Sequence, residues 1–277
     1  MEKFAFYKYS GHGNDFVIVD NWNGEVPEKD MGKIAKLMCR PKFGVGADGA
    51  VFIIPGPDDV DFAWRFFNSD GSEADMCGNA SRCTAHLAST LGIAPNEMSF
   101  KTKAGVIEAT VADRQVKVQL PKIGRPEGAA LVEAEGVSLT YHRLNVGVPH
   151  AAAWVEDLDN LNVFKVGRGV RRHPAFAPEG SNIDFVKILG PDRLALRTYE
   201  RGVEDETLAC GTGAVAAAML AAAQGLVTAK SIVCQTRGGE ELIVSYEGPA
   251  DNPDKIFLEG KVRYLFSAQV ESDLFLK

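Results

Sequence analysis

Cys77 and Cys210 are the residues of this 277-residue chain best placed to do chemistry. Each precedes a glycine at the head of a helix-favouring stretch: Met76-Cys77-Gly78-Asn79-Ala80, and Ala209-Cys210-Gly211-Thr212-Gly213-Ala214 with alanines as far as Ala223. A helix N-terminus carries unpaired amides and a partial positive charge, which lowers a thiol's pKa below its free value of roughly 8.5. The glycine leaves room for an anion to reach those amides. The expectation is two activated thiols, each heading its own helix, serving one site as acid and base. Cys39, Cys83 and Cys234 lack this context and are read as small buried hydrophobes, the usual fate of free cysteine.

The elements that must position the thiols follow from periodicity. Residues 4–9 and 16–20 read as strands about the turn Ser10-Gly11-His12-Gly13-Asn14, and residues 30–38 carry a helical period in Met31, Ile34, Leu37 and Met38. A loop, 43–49, enters an apolar strand at 50–54, and Phe62, Trp64 and Phe66 mark a half-buried strand. A first Cys-Gly helix spans about 77–91, followed by a hairpin of 106–112 and 116–120 across Asp113-Arg114. Residues 121–128 hold two prolines and two glycines near the midpoint and mark a domain boundary. Beyond it, strands are expected at 141–146 and 151–155, a charged turn-rich region at 157–180, and strands at 183–188 and 194–199. The second Cys-Gly helix comes next, then short strands to the end.

Two halves are therefore expected: residues 1–122, joined by a C-terminal strand 266–277, and residues 123–265. The Cys77 and Cys210 segments lie 210 − 77 = 133 positions apart, nearly half the chain. Asn14-Asp15-Phe16-Val17 is echoed by Asn182-Ile183-Asp184-Phe185-Val186 with one residue inserted, and together these echoes favour duplication.

Bulk properties exclude several classes. A net charge of −7 gives nucleic acid or an anionic membrane no attraction. The start, Met1-Glu2-Lys3-Phe4, lacks the apolar segment of a signal peptide, and residues 214–223 are about half of the roughly 20 needed to cross a bilayer. Five scattered cysteines form no disulfide framework, so the cytoplasm is the expected compartment. No CxxC pair or HxxxH spacing occurs, and no metal site is expected. Gly211-Thr212-Gly213-Ala214-Val215-Ala216 matches a dinucleotide fingerprint in letters only. The preceding Val203-Glu204-Asp205-Glu206-Thr207 is too charged for the required strand, and Gln235-Thr236-Arg237 stands where the ribose-binding acid belongs.

Six blocks in order, Gly13-Asn14-Asp15-Phe16-Val17, Gly46-Ala47-Asp48-Gly49, Phe67-Asn68-Ser69-Asp70-Gly71-Ser72, Met76-Cys77-Gly78-Asn79, Tyr199-Glu200-Arg201-Gly202 and Ala209-Cys210-Gly211-Thr212-Gly213, together resemble the diaminopimelate epimerase family. The resemblance implies an α/β (α+β) protein of two pseudo-symmetric domains, each a curved, mostly antiparallel sheet around a central helix, with the active site in the cleft between them. It implies a homodimer and a cofactor-independent epimerase interconverting LL- and meso-2,6-diaminopimelate, in lysine and peptidoglycan precursor biosynthesis. A pyridoxal lysine is not needed.

Inverting an α-carbon requires a base on one face and an acid on the other, with the roles exchanged in the reverse direction. Proton removal leaves the carboxylate dianion-like, and amides at Gly78-Asn79 and Gly211-Thr212 would stabilise that charge. By the resemblance, Cys77 and Cys210 are the two bases, His150 and Glu200 tune the thiols and hold the reacting amino group, and Asn14, Asn68, Asn182 and Arg201 contact substrate. Read without it, these asparagines are turn residues.

Two departures bear on the substrate. Many members carry Gly-Asn-Pro-His where this chain has Gly147-Val148-Pro149-His150, and many have Gln in place of Gly49. Two alternatives stay open on this ground and on thiol chemistry: a racemase or epimerase of another amino acid, and a redox-responsive thiol protein pairing Cys77 with Cys210.

Overall fold

A computed structural model describes residues 3–271, and two compact units emerge from it: Met1–Gln119 with Gly260–Lys277, and Leu120–Glu259. The first unit runs β1 (Lys3–Gly11), β2 (Asn14–Asp20), α1 (Glu28–Cys39), β3 (Gly49–Ile54), β4 (Phe62–Asn68), α2 (Gly78–Thr90), β5 (Glu97–Thr102), β6 (Gly105–Ala112) and β7 (Gln115–Gln119). The second runs β8 (Ala129–Ala134), β9 (Val137–Asn145), β10 (Pro149–Trp154), α3 (Val163–Arg171), β11 (Asn182–Gly190), β12 (Arg193–Glu200), β13 (Asp205–Glu206), α4 (Gly211–Ala223), β14 (Ser231–Gln235), β15 (Glu241–Glu247) and β16 (Lys255–Lys261). The last strand, β17 (Arg263–Glu271), returns to the first unit and pairs with β1. Residues 272–277 of the expected C-terminal strand lie outside the described residues.

Both units repeat one order of strands. In the first, β17, β1 and β2 pair antiparallel, β2 and β3 parallel, β3 and β4 antiparallel, β4 and β5 parallel, and β5, β6 and β7 antiparallel. In the second the same sequence of senses runs through β8, β9, β10, β11, β12, β14, β15 and β16. Each parallel pair encloses a helix: α1 and α3 at the first, α2 and α4 at the second. The mixed sheets with few helices match the α+β expectation. The Cys-Gly helices are equivalent in this repeat, but the Asn14 and Asn182 echo is not. Asn14 opens β2, whose counterpart is β10, while Asn182 opens β11, the counterpart of β3.

Strand alternation assigns each helix a face. Val17, Val19, Ala50, Phe52 and Phe67 join Met31, Ile34, Ala35 and Met38 of α1 in one core. Phe16, Ile18, Val51 and Phe66 alternate with them and are buried toward the other face, where α2 packs on β1, β2, β3, β6 and β7. In the second unit Ala151, Ala153, Ile183, Phe185 and Tyr199 pack with Val163, Val166 and Val170 of α3. The opposite face receives α4, whose Gly213 through Ala221 are all buried. A helix apolar on every side must be surrounded.

Helix α3 and strands β5 and β8 are among the elements that depart from the sequence reading. Helix α3 lies inside the region read as turns, because Gly167, Gly169 and the basic residues Lys165, Arg168 and Arg171 interrupt an apolar pattern reduced to Val163, Val166 and Val170. Gly167 allows it to lie against β12, since a Cβ there would meet Tyr199 Cβ at 2.5 Å. Strands β5 and β8 are additional: β5 alternates cleanly in Met98, Phe100 and Thr102, whereas β8 buries only Val132 fully.

Candidate active site

The face of the second sheet turned toward α4 carries a cluster of polar side chains at its strand ends. His150 on β10 stands beside Asn182 on β11 in the parallel register, and Asp184 pairs across to Thr198 on β12. Asn182, Asp184, Thr198 and Glu200 alternate with Ile183, Phe185 and Tyr199, which face α3. The strand ends thus present polar groups to the N-terminus of α4.

Cys210 is the N-cap of α4, and its sulfur accepts from the Gly213 amide at 3.4 Å, as a serine cap would. Thr212 Oγ1 lies 3.5 Å from Cys210 Sγ and 2.9 Å from His150 Nε2. His150 Nδ1 meets Asp184 Oδ2 at 2.7 Å, both side chains being fully buried, and Thr198 donates its hydroxyl to Asp184 Oδ1 at 2.7 Å. Asn182 donates to Pro149 O at 3.1 Å and accepts from the Arg201 amide at 2.8 Å. The Arg201 guanidinium reaches Glu179 at 3.4 Å. Thr207 donates to Glu200 Oε1 at 2.5 Å.

In the first unit Cys77 is the N-cap of α2 and makes no capping bond through sulfur. Asn79, in the first turn, donates to Asn14 Oδ1 at 2.7 Å and accepts from Arg82 Nη2 at 2.7 Å. Arg82 also meets His12 Nδ1 at 3.2 Å. Asn14 donates to Asp48 Oδ2 at 3.0 Å, and Asp48 is tied to Asp15, which pairs with Lys8 at 2.7 Å. Asn68, at the end of β4 opposite Gly49, bonds Ser72 Oγ, and the next amide, Ser69, donates to Asp48 O. Asn14, Asn68, Asn79 and Cys77 thus gather at one end of α2, and His150, Asn182, Glu200, Thr212 and Cys210 at one end of α4.

The thiols differ from the sequence expectation. Burial pushes Cys77 up, against the amides of Ala80 and Asn79 and the charge of Arg82. Cys210 is pushed well up by burial and by the carboxylates of Glu200 and Asp184, against Thr212 and the Gly213 amide. The helix N-terminus acts in the expected direction, but desolvation of the thiolate outweighs it. Glu200 is itself raised by burial, opposed by Thr207 and Cys210. Burial also drives Cys39 and Cys83 up to about 12.

The sequence reading gives Asp184, Thr198, Thr207, Asp48 and Arg82 no role at the site. A charged residue inside the apolar run Ile183-Asp184-Phe185-Val186 was the available signal for Asp184. For Gly49 the fold supplies a reason: a Cβ there would lie 2.7 Å from the Phe66 ring and 2.8 Å from Phe67 O, so a longer side chain has no room. Val148 lies in a turn, where its carbonyl accepts from the Val146 amide. Among the described residues no three His, Cys, Asp or Glu side chains group as a metal would require.

Comparison with known proteins agrees over both units. Residues 6–126 and 143–265 match the family model described as diaminopimelate epimerase. The chain is 42% identical over 280 residues to diaminopimelate epimerase of Aquifex aeolicus (strain VF5), covering 97% of this chain and 98% of that one. It is 40% identical to the Hydrogenobaculum sp. (strain Y04AAS1) enzyme of the same name, with 97% and 99% covered. In fold it is similar to the Bacillus anthracis phenazine biosynthesis protein of the PhzF family, with a TM-score of 0.72, 16% identity, and 98% and 100% of the two chains covered. A hydroxyproline epimerase from Agrobacterium vitis gives a TM-score of 0.66 at 15% identity, with 99% and 97% covered. With a cysteine at the N-cap of two helices in equivalent places and relatives matched along nearly its whole length, this isomerase belongs to the diaminopimelate epimerase family.

Proposed function

We propose that the protein interconverts LL- and meso-2,6-diaminopimelate, with Cys77 and Cys210 as the two bases, in the route to lysine and peptidoglycan precursors. The observation that carries this reading is the equivalent placement of the two thiols, each the N-cap of the helix packed inside its own unit. One cysteine removes the α-proton as thiolate while the other delivers a proton to the opposite face as thiol. Neither thiol, Cys77 half-buried and Cys210 buried, ionises readily alone, so thiolate formation depends on what the neighbours accept or donate. Charge developing on the carboxylate meets the free amides at Gly78-Asn79 and Gly211-Thr212. No cofactor is required for this chemistry.

His150 and Glu200 tune the thiols and hold the reacting amino group, while Asn14, Asn68, Asn182 and Arg201 hold the distal ammonium and carboxylate, a guanidinium being suited to the latter. The cytoplasm is the proposed compartment; among the described residues no helix is long and apolar enough to cross a membrane. A homodimer is proposed through β17. That strand pairs with β1 alone among the described strands and exposes Tyr264, Leu265 and Phe266 by 50%, 48% and 45%. An open apolar edge invites a second copy.

The test is deuterium incorporation at Cα from heavy water over a panel of amino acids, for the wild-type protein, Cys77→Ala and Cys210→Ala. Wild type should exchange LL-diaminopimelate, and each variant should lose about 10²-fold or more of the epimerisation rate. Normal epimerisation by either variant would remove the two-base role. Exchange of another amino acid in place of LL-diaminopimelate would favour the second reading, which Val148 and Gly49 motivate.

A further inference from the structure

We propose that Asp184 is a positioning residue that, through His150 and Thr212, maintains a hydrogen-bonded route for the proton of Cys210 to leave and return. The inference rests on Cys210 being a base, as proposed above. A thiolate that has taken the substrate's proton must shed it before it can act again in the same direction. Cys210 is only 7% exposed, so direct exchange with water is restricted.

The geometry assigns the direction of each bond. His150 Nε2 faces two groups able to donate, the Thr212 hydroxyl at 2.9 Å and the Asn182 amide nitrogen at 3.4 Å. His150 Nδ1 faces a carboxylate at 2.7 Å, which can only accept when ionised. The consistent tautomer carries its hydrogen on Nδ1 and offers a lone pair at Nε2. Asp184 is held in turn by Thr198 on its other oxygen. The first turn of α4 lies so near this carboxylate that a Cβ on Gly213 would fall 2.6 Å from Asp184 Oδ1 and 3.0 Å from Thr198 Oγ1.

Along this chain the S–H bond of Cys210 breaks and its proton passes to Thr212 Oγ1. The Thr212 hydroxyl proton passes to His150 Nε2. The products are a thiolate, an intact hydroxyl and an imidazolium whose charge faces the Asp184 carboxylate; the return transfer reverses each bond. The ionisable groups facing Cys210 are Glu200 on β12, Asp184 on β11 and, through Thr212, His150 on β10. Glu200 and Asp184 both oppose the thiolate by charge, so the relay's basic member is His150, oriented by Asp184.

The experiment uses the full-length chain and needs no substrate. Carbamidomethylation by iodoacetamide is followed against pH by peptide mass mapping, with Cys77 in the same molecules as internal reference. Asp184→Asn lets the new amide donate to Nδ1 and so favours the wrong tautomer. Cys210 should then react about tenfold more slowly near neutral pH, equivalent to about one unit of pKa, while Cys77 is unchanged. Thr212→Val breaks the path with Asp184 and His150 in place, and should produce the same selective slowing even if Asp184→Asn fails to fold. An unaltered Cys210 rate and pH profile in a folded Asp184→Asn or in Thr212→Val overturns the relay. A failed deuterium exchange with intact selectivity here would refute the substrate and leave the relay standing.

Discussion

Arg82, with no exposed surface, donates from Nη2 to Asn79 Oδ1 at 2.7 Å and thereby leaves the Asn79 amide group free to donate to Asn14. Nη2 also meets His12 Nδ1 at 3.2 Å, and the rigid guanidinium fixes the direction of both contacts, which an ammonium on a flexible stem does not. Asn79 therefore has a fixed orientation at the α2 N-terminus, and Asn14 inherits it.

Arg82→Lys should raise KM for LL-diaminopimelate about tenfold with a smaller change in kcat, the mark of lost binding. It should also cost about 1–3 kcal/mol of stability for the partners left unsatisfied. Steady-state kinetics with urea unfolding checks both, and an unchanged KM would show that Arg82 does not set the Asn79 geometry.

Gly213→Ala places a methyl group against Asp184 Oδ1 and Thr198 Oγ1, so either the helix start or the carboxylate must move. The expected loss is about 1–3 kcal/mol. A Cβ at Gly128 would meet nothing within 4 Å, and the backbone there is not left-handed, so Gly128→Ala should be close to neutral. Equal losses at the two positions in denaturant titrations would contradict the close approach.

Alkaline pH should destabilise the fold through its buried thiols. Cys39 and Cys83 ionise near pH ~8.5 when unfolded but only at about 12 in the native state. Above the unfolded value the unfolded chain therefore binds fewer protons than the native one, and stability falls until about pH 12. The slope is about 1.4 kcal/mol per pH unit for each thiol held protonated. Cys39→Ala should flatten it by one such increment between about pH 9 and 10, measured by urea unfolding; an unaltered slope would refute the assignment.

Leu265→Lys places a charge on the exposed edge strand β17, where lysine discourages edge-to-edge pairing. Sedimentation should give a dimer for the wild-type chain and a monomer for the variant at micromolar concentration. A dimer in both would move the interface off this strand, and a wild-type monomer would dismiss it.

Much was legible before any coordinates because it is local. Helix starts at Cys-Gly, the apolar period of α1, the apolar runs of β2 and β3, the alternation in β4, and the hairpin of β6 and β7 are written within a few residues of themselves. The six motif blocks pointed to the family because their order spans both units. What only tertiary structure decided is what distant elements bring to one another. Asp184 reaches His150 from 34 positions away, Arg82 reaches His12 from 70, and α3 is stabilised by Tyr199 and its neighbours despite its glycines. The thiols' ionisation reversed from the local expectation for the same reason: the helix amides belong to the residues beside each cysteine, whereas the desolvation that outweighs them comes from everything packed around it.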